Sequence, residues 1–385
     1  MAAVLTHPIQ YMVPLMRELS SRPGIDLTVY YLSRQGLDAT LDLKFGQTFK
    51  WDIPLLDGYK SVFLPNLRSG SDPNGFFSLL NFSLFAEIRR NRYEVLLIHG
   101  YEHLIKWIAF IAARSCGTKL IFRGESHLNE PRSYLRRAIK RVVLGNLFKW
   151  FSGVAYIGKR NREYYEFYGV DPARLYFAPY CVDNAFFASK AENARPARHE
   201  RRSELGIHDD APVILYSGKL ITLKQPEMLL RAFAAVRKRR PCHLVYVGDG
   251  VLREAIERRV EQFGIPDVHI AGFVNQSLLP EIYACGDIFV LPSLHEPWGL
   301  VVNEAMACGL PIIASDRVGS ALDLVNDGVN GYVFPYNDQN ALESRLEALV
   351  ADRELRSAFG CRSRELISKY SVGNTADGII AAIGG

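Results

Sequence analysis

Two glutamates, Glu296 and Glu304, bracket a glycine turn in the stretch EPWGLVVNEAMACGLPIIAS, residues 296–315. Ionised carboxylates accept hydrogen bonds on both oxygens, which suits the vicinal hydroxyls of a ribose or another sugar. The residue types around them predict a strand over 287–293, a turn over 294–299, a helix over about 300–308 ended by Gly309, and a strand over 311–315. Gly299 therefore falls at a helix N-terminus. There the backbone N–H groups of Gly299, Leu300 and Val301, with the positive end of the helix dipole, suit a diphosphate, and glycine lets it approach closely.

A second stretch, YSGKLITLKQPEMLLRAF, ends a strand at Gly218 and places Lys219 and Lys224 before the next helix. Two cations at a strand end would neutralise a diphosphate leaving group as charge builds on it. Each residue also has a plainer reading: Glu296 as a turn cap, Glu304 as a solvated helix residue, and the lysines as exposed loop cations.

The elements that position these groups follow from periodicity. Short runs rich in β-branched and aromatic residues recur at 2–6, 26–32, 94–100, 119–124 and 153–158, then at 212–218, 242–250, 268–273, 287–293, 311–316 and 331–335. Runs of that length read as strands buried on both faces, and the amphipathic stretches between them read as helices, so the fold class is α/β with parallel sheets. With 385 residues, two doubly wound domains are expected. The expected division is an N-terminal Rossmann-like domain over 1–187, a charged linker over 188–211, a C-terminal Rossmann-like domain over 212–365, and a segment over 366–385 that returns to the first domain. Ligands bind such sheets at the carboxyl ends of the strands.

Composition narrows the function. Net charge is only +5, with basic clusters at 132–141, 195–202 and 237–240, and no aromatic-interleaved basic motif accompanies them, which argues against nucleic acid. The six cysteines show neither close pairing nor metal-ligand spacing, so reduced thiols and no metal site are expected. The opening MAAVLTHPIQY does not read as a signal peptide, and no run is long enough to span a bilayer, so a cytoplasmic location is expected. The GDG at 248–250 lacks the third glycine of a dinucleotide fingerprint. Residues 132–149 read as a basic amphipathic helix, with Leu135, Ile139, Val142 and Val143 on one side and Arg137, Lys140 and Arg141 on the other. Such a helix either packs its apolar side on the core or lies at an anionic membrane surface.

Taken together, SGKLITLK, VYVGDGVLRE, IAGFV, IYACGDIFVLPSLHEPWGLVVNEAMACGLPIIAS and DGVNGYVFP, spread over residues 212–350, resemble glycosyltransferase family 4, among the group 1 glycosyl transferases. These are retaining enzymes of the GT-B fold, two doubly wound Rossmann-like domains facing a central cleft. The resemblance implies a nucleoside-diphosphate sugar as donor substrate, no cofactor, and a glycan, lipid-linked or small-molecule acceptor in polysaccharide or glycolipid synthesis. It implies that Glu304 holds the nucleotide ribose, Glu296 approaches the donor sugar, Gly218 and residues 299–301 meet the diphosphate, and Lys219 with Lys224 stabilises the departing phosphate. Val274, in the IAGFV stretch, would lie by the base. With no DxD motif evident, hexosyl transfer without a metal ion is expected.

The sequence departs from the family in two places. The first basic residue, commonly arginine, is Lys219, which keeps the charge but loses the bidentate fork. The loop after the first strand, THPIQYMVPL, lacks the family's glycine-rich pattern, and FRGESH stands where a histidine is common. His7, Gln10, Arg123, Glu125 and His127 are the candidate site residues of that half, while His99 and His103 read as packing or helix-start residues. Two further classes remain open on these residues: an epimerase or phosphorylase on the same fold, and a catalytically silent nucleotide-sugar-binding subunit.

Overall fold

Short apolar runs buried on both faces set the first sheet. The structure, a computed structural model, describes residues 1–38, 40–42, 47–68, 75–128 and 134–385, with backbone alone at 40–42, 47–49 and 134–137. Strands β1 Ala2–Leu5, β2 Thr28–Tyr31, β3 Thr40–Asp42, β4 Gln47–Phe49, β5 Lys60–Phe63, β6 Val95–His99, β7 Lys119–Arg123, β8 Gly153–Tyr156 and β9 Leu175–Phe177 occupy the N-terminal half. All but β3 and β4, which pair with each other, form a seven-stranded parallel sheet in the order β5-β2-β1-β6-β7-β8-β9. Successive side chains of a strand face opposite ways. Ala2, Val4, Leu96 and Ile98 accordingly enter one apolar core, and Ala3, Leu5, Val95 and Leu97 the other.

The second sheet repeats the plan with β10 Val213–Ser217, β11 His243–Val247, β12 Val268–Gly272, β13 Ile288–Leu291, β14 Ile312–Ser315 and β15 Gly331–Phe334. Its order is β12-β11-β10-β13-β14-β15, again parallel throughout. In each sheet the order reverses once, beside β1 and β6 in the first and beside β10 and β13 in the second. A doubly wound sheet binds ligands at such a reversal, outside the carboxyl ends of the strands.

The chain divides into two compact units, one of Met1–Thr40, Pro54–Tyr180 and Val372–Gly385, the other of Leu41–Ile53 and Cys181–Ser371. The expected linker over 188–211 is therefore corrected: it is folded into the second unit as part of helix Asn184–Ala194, a turn, and helix Arg198–Glu204. Asp183 caps the first of these helices by accepting from the Phe186 N–H at 2.9 Å. Arg198 and Arg202 fasten the second by donating to the two carboxylate oxygens of Asp287 at 2.7 and 2.6 Å. The boundary falls at Tyr180, earlier than the expected 187, and helix Arg353–Ile367 stays wholly with the second unit. Residues Leu41–Ile53 join that unit because Asn275 Nδ2 donates to the Lys50 carbonyl at 2.7 Å and the Ser277 N–H to Asp52 at 3.1 Å. The last helix, Val372–Gly384, packs Ala376, Ile379 and Ala382 into the first unit's core.

The basic helix also differs from expectation. It runs Tyr134–Leu147, with Arg132 and Ser133 outside the described residues. Leu144 and Leu147 are buried, whereas Ile139, Val142 and Val143 are 56%, 66% and 44% exposed. Lys140, expected on the solvated face, sits within 5.0–5.8 Å of the ring centres of Tyr101, Tyr164 and Tyr168. Three tyrosine faces attract the ammonium by cation–π interaction and turn the helix so that the valines face out.

Candidate active site

Lys219 and Lys224 follow β10, and Glu296, Gly299 and Glu304 follow β13, so the structure gathers all five beside the strand-order reversal of the second sheet. The loop after β10 closes in a short turn, Thr222–Lys224, whose Leu223 carbonyl accepts from the Leu294 N–H at 2.9 Å. That bond carries Lys224 to the 294–299 turn, where its ammonium pairs with the Glu296 carboxylate. Burial, and then the neighbouring charge of Lys219, lower the Lys224 pKa to about 8, so it is still mostly protonated at pH 7 beside the Glu296 carboxylate.

The turn is gripped from its other side as well. Glu296 N–H donates to the Arg317 carbonyl at 3.3 Å, and Gly319 and Ser320 N–H groups donate to the Glu296 and Trp298 carbonyls, each at 2.9 Å. Trp298 is buried and its indole N–H donates to Asn303 at 3.0 Å, tying the turn to the helix it precedes. That helix, Leu300–Ala307, begins at Gly299, which has φ +93° and no side chain capping the end. A Cβ at Gly299 would also lie 3.0 Å from Cγ of Glu296. Conformation and proximity both select glycine here.

Glu304, four residues into the helix, is 7% exposed and accepts a hydrogen bond from the Tyr283 hydroxyl at 2.8 Å. Burial pushes its carboxyl up to about 7, and the tyrosine's hydrogen bond only partly offsets this. A nearly enclosed carboxylate with one spare oxygen is poised for hydroxyl donors. Glu304 is not solvated, Glu296 is paired with a lysine as well as held in the turn, and neither lysine is fully exposed. Gly218 closes β10, and Val274 lies half-buried past the end of edge strand β12, on the same carboxyl edge. Gly248, φ +131°, has a packing role: a Cβ there would come within 2.0 Å of the Gly218 carbonyl oxygen.

In the first unit a polar cluster occupies the corresponding edge. His7 and Gln10 follow β1, while His99 ends β6, so they flank the reversal in that sheet. Glu125 accepts from His99 Nε2 at 3.1 Å and from the Tyr180 hydroxyl. Burial pushes the Glu125 carboxyl upward, but those two hydrogen bonds and the Arg123 charge outweigh it and hold the group below its ordinary value. Arg123 is buried, donates to the Ala178 and Pro179 carbonyls at 3.4 and 3.2 Å, and lies 5.2 Å from the Tyr180 ring centre, so it braces the cluster from beneath. His7 contacts Thr6 Oγ1 at 3.1 Å; burial, and then Lys106, lower it to about 4, leaving it neutral at pH 7. Gln10 Oε1 is enclosed without a hydrogen-bond partner among the described residues. His127 is buried in the loop that Asn161 holds by donating to the Ser126 carbonyl at 2.8 Å. Lys106, 1% exposed, is held by Glu102 and the His99 carbonyl.

Residues 197–366 match the family model described as glycosyl transferases group 1. That match falls within the second unit, Cys181–Ser371. The D-inositol 3-phosphate glycosyltransferase of Geodermatophilus obscurus is 34% identical over 241 residues, 60% of this chain and 51% of that protein. The protein of the same description from Salinispora arenicola is 29% identical over 389 residues, 94% of this chain and 87% of that protein. At 30% identity and above, this chain spans about half the length of the curated relatives it matches. The crystal structure of Anabaena HepE in complex with UDP and glucose superposes with a TM-score of 0.72 at 16% identity, covering 100% of this chain and 98% of that one, which establishes the GT-B fold.

Every donor-side residue expected from sequence lies inside the matched glycosyl transferase domain, and every first-unit candidate lies outside it. Sequence reasoning missed Tyr283, although IYACGDIFV was among the quoted stretches, because its bond to Glu304 joins two helices. It also missed His99 and Tyr180 as the partners of Glu125. A histidine at the carboxyl end of a buried strand was the available signal.

Proposed function

We propose that this chain moves a hexosyl group from a nucleoside-diphosphate sugar to an acceptor hydroxyl with retention at the anomeric carbon. The observation that carries the reading is the convergence of Lys219, Lys224, Glu296, the Gly299 helix end and Glu304 at one strand-order reversal. Glu304 accepts from the ribose hydroxyls, the N–H groups of 299–301 hold the diphosphate, Glu296 faces the donor sugar and Val274 lies by the base. Gly218 lets the backbone come close to the phosphates.

In the transfer step the bond between the anomeric carbon and the phosphate oxygen breaks while the acceptor oxygen bonds to the same face. The acceptor's proton passes to the departing phosphate oxygen. Lys219, Lys224 and the helix dipole stabilise the charge gathering on the diphosphate, the work a divalent ion does in other enzymes, so turnover proceeds without one. Undiminished activity in EDTA supports this; loss restored by magnesium contradicts it. HepE's occupants, UDP and glucose, make UDP-glucose the first donor to try. The His7, Gln10, His99, Glu125 and Tyr180 cluster receives the acceptor, with Arg123 bracing it and His127 closing its loop. The acceptor is a glycan, a lipid-linked sugar or a small molecule.

Among the described residues no helix is long and apolar enough to cross a membrane. The exposed Ile139, Val142 and Val143, with exposed Arg141 and Lys149 beside them, instead suit a peripheral contact with an anionic surface on the cytoplasmic side. Slow hydrolysis of UDP-glucose followed by proton NMR tests the stereochemistry: α-glucose forms first under retention, and β-glucose first defeats it.

A further inference from the structure

The basic segment 195–202, expected to lie in a charged linker, forms one wall of an open pocket in the second unit. A cavity of about 570 Å³ lies between helices Arg198–Glu204 and Arg353–Ile367. Its floor includes Gly286, Asp287 and Pro311, which immediately precede β13 and β14. It therefore opens at the amino-terminal edge of the sheet, opposite the edge that carries Glu296 and Glu304.

Six arginines line it: Arg195, Arg198, Arg202, Arg353, Arg356 and Arg364. Three of these recur at helical spacing on Arg353–Ile367, so one face of that helix is turned into the cavity. The acidic lining is Asp287 and Asp210 alone, and Asp210 faces exposed His199 at 3.4 Å. Asp287 is already shared by Arg198 and Arg202. Glu192, just outside, pairs with Arg195 at 3.0 Å and Arg364 at 3.4 Å. Arg356 spends Nη1 on the Leu349 and Val350 carbonyls at 2.6 and 3.0 Å. The Nε atoms of Arg198 and Arg364 are enclosed with no hydrogen-bond acceptor among the described residues. Buried donors left unsatisfied are costly, and like charges gathered round one space repel unless an anion answers them. The planar guanidinium fork matches phosphate oxygens, with Ser357 as a further neutral donor on the same helix face.

We infer that this cavity is a binding site for a phosphate-bearing anion, separate from the donor site. Gly309 makes room for the Arg364 guanidinium in that lining, since a Cβ there would lie 2.5 Å from Arg364 Nε.

The test uses the full chain and sodium pyrophosphate in metal-free buffer, followed by calorimetry. Pyrophosphate is expected to bind the wild type and Lys224→Ala, and to bind Arg353→Gln and Arg356→Gln more weakly by on the order of tenfold, the worth of one charge-assisted hydrogen bond. Undiminished UDP binding by the arginine variants shows that they are folded. Pyrophosphate affinity unchanged from wild type in both arginine variants, or loss of binding in Lys224→Ala alone, overturns the inference. Vesicles containing phosphatidic acid separate the sources: sedimentation that pyrophosphate reverses and Arg353→Gln weakens identifies a lipid headgroup, and pyrophosphate binding with no such sedimentation identifies a free anion.

Discussion

At Glu304 burial and the Tyr283 hydroxyl act in opposite directions on the carboxyl, and burial prevails. A folded pKa raised to about 7 from 4.5 means the folded chain holds a proton that the unfolded chain releases. The resulting stabilisation is fully present below pH 4.5, declines through the interval, and is gone above about 7. Glu304→Gln removes a charge the fold disfavours. Chemical denaturation is predicted to find the variant more stable than wild type at pH 8 by up to the order of 3 kcal/mol, with the gap vanishing near pH 4. The same variant is predicted to bind nucleotide more weakly, as expected of a residue kept for a ligand at the expense of stability. Gly299→Ala tests the neighbouring turn. A left-handed non-glycine residue costs about 1–2 kcal/mol, and the added methyl presses on Glu296, so nucleotide-sugar affinity is predicted to fall along with stability. The glutamates and lysines of the proposed site could be picked out from residue type and spacing. Tyr283, which answers Glu304 across two helices, was not, because nothing local in a sequence pairs a tyrosine with a glutamate twenty-one positions away.

Helix Arg198–Glu204 shows why element boundaries were harder to read than strands. Its charged composition looks solvated, yet Arg202 is 5% exposed because Asp287 and the Cys285 carbonyl satisfy it. A charge run pairs inward only when a distant acid is delivered to it, and here the start of β13 delivers that acid. Asp287 also accepts from the Val213 N–H at 2.8 Å, so it clamps helix and sheet together. Asp287→Ala strands two arginines and is predicted to cost about 3–5 kcal/mol in urea denaturation, whereas a loss under 1 kcal/mol would show that the clamp is dispensable. Helix Tyr134–Leu147 was misread for a related reason: the tyrosines that draw Lys140 inward come from elsewhere in the chain. With Ile139 and Val142 outward, replacing both by aspartate is predicted to abolish sedimentation with phosphatidylglycerol vesicles while leaving nucleotide binding intact. Unchanged sedimentation would remove this helix from any membrane contact.

Across the whole molecule, the central strands were visible in sequence as uninterrupted apolar runs, since a strand buried on both faces has no polar positions to break the pattern. Edge strands β5 and β9 were not, because their burial is partial and their sequences, KSVF and LYF, are short. Strand order was likewise beyond reach, and it is the order that brings the loops after β10 and β13 side by side. The resemblance supplied that juxtaposition in advance, and two sheets of matching plan now account for it physically. The central claim is that this juxtaposition makes a nucleotide site. Calorimetric titration with UDP, GDP and ADP, with Glu304→Ala and Lys224→Ala alongside, tests it most directly. The account predicts that one nucleotide binds and that both substitutions weaken it. Absence of binding by all three, or binding that neither substitution disturbs, would contradict it.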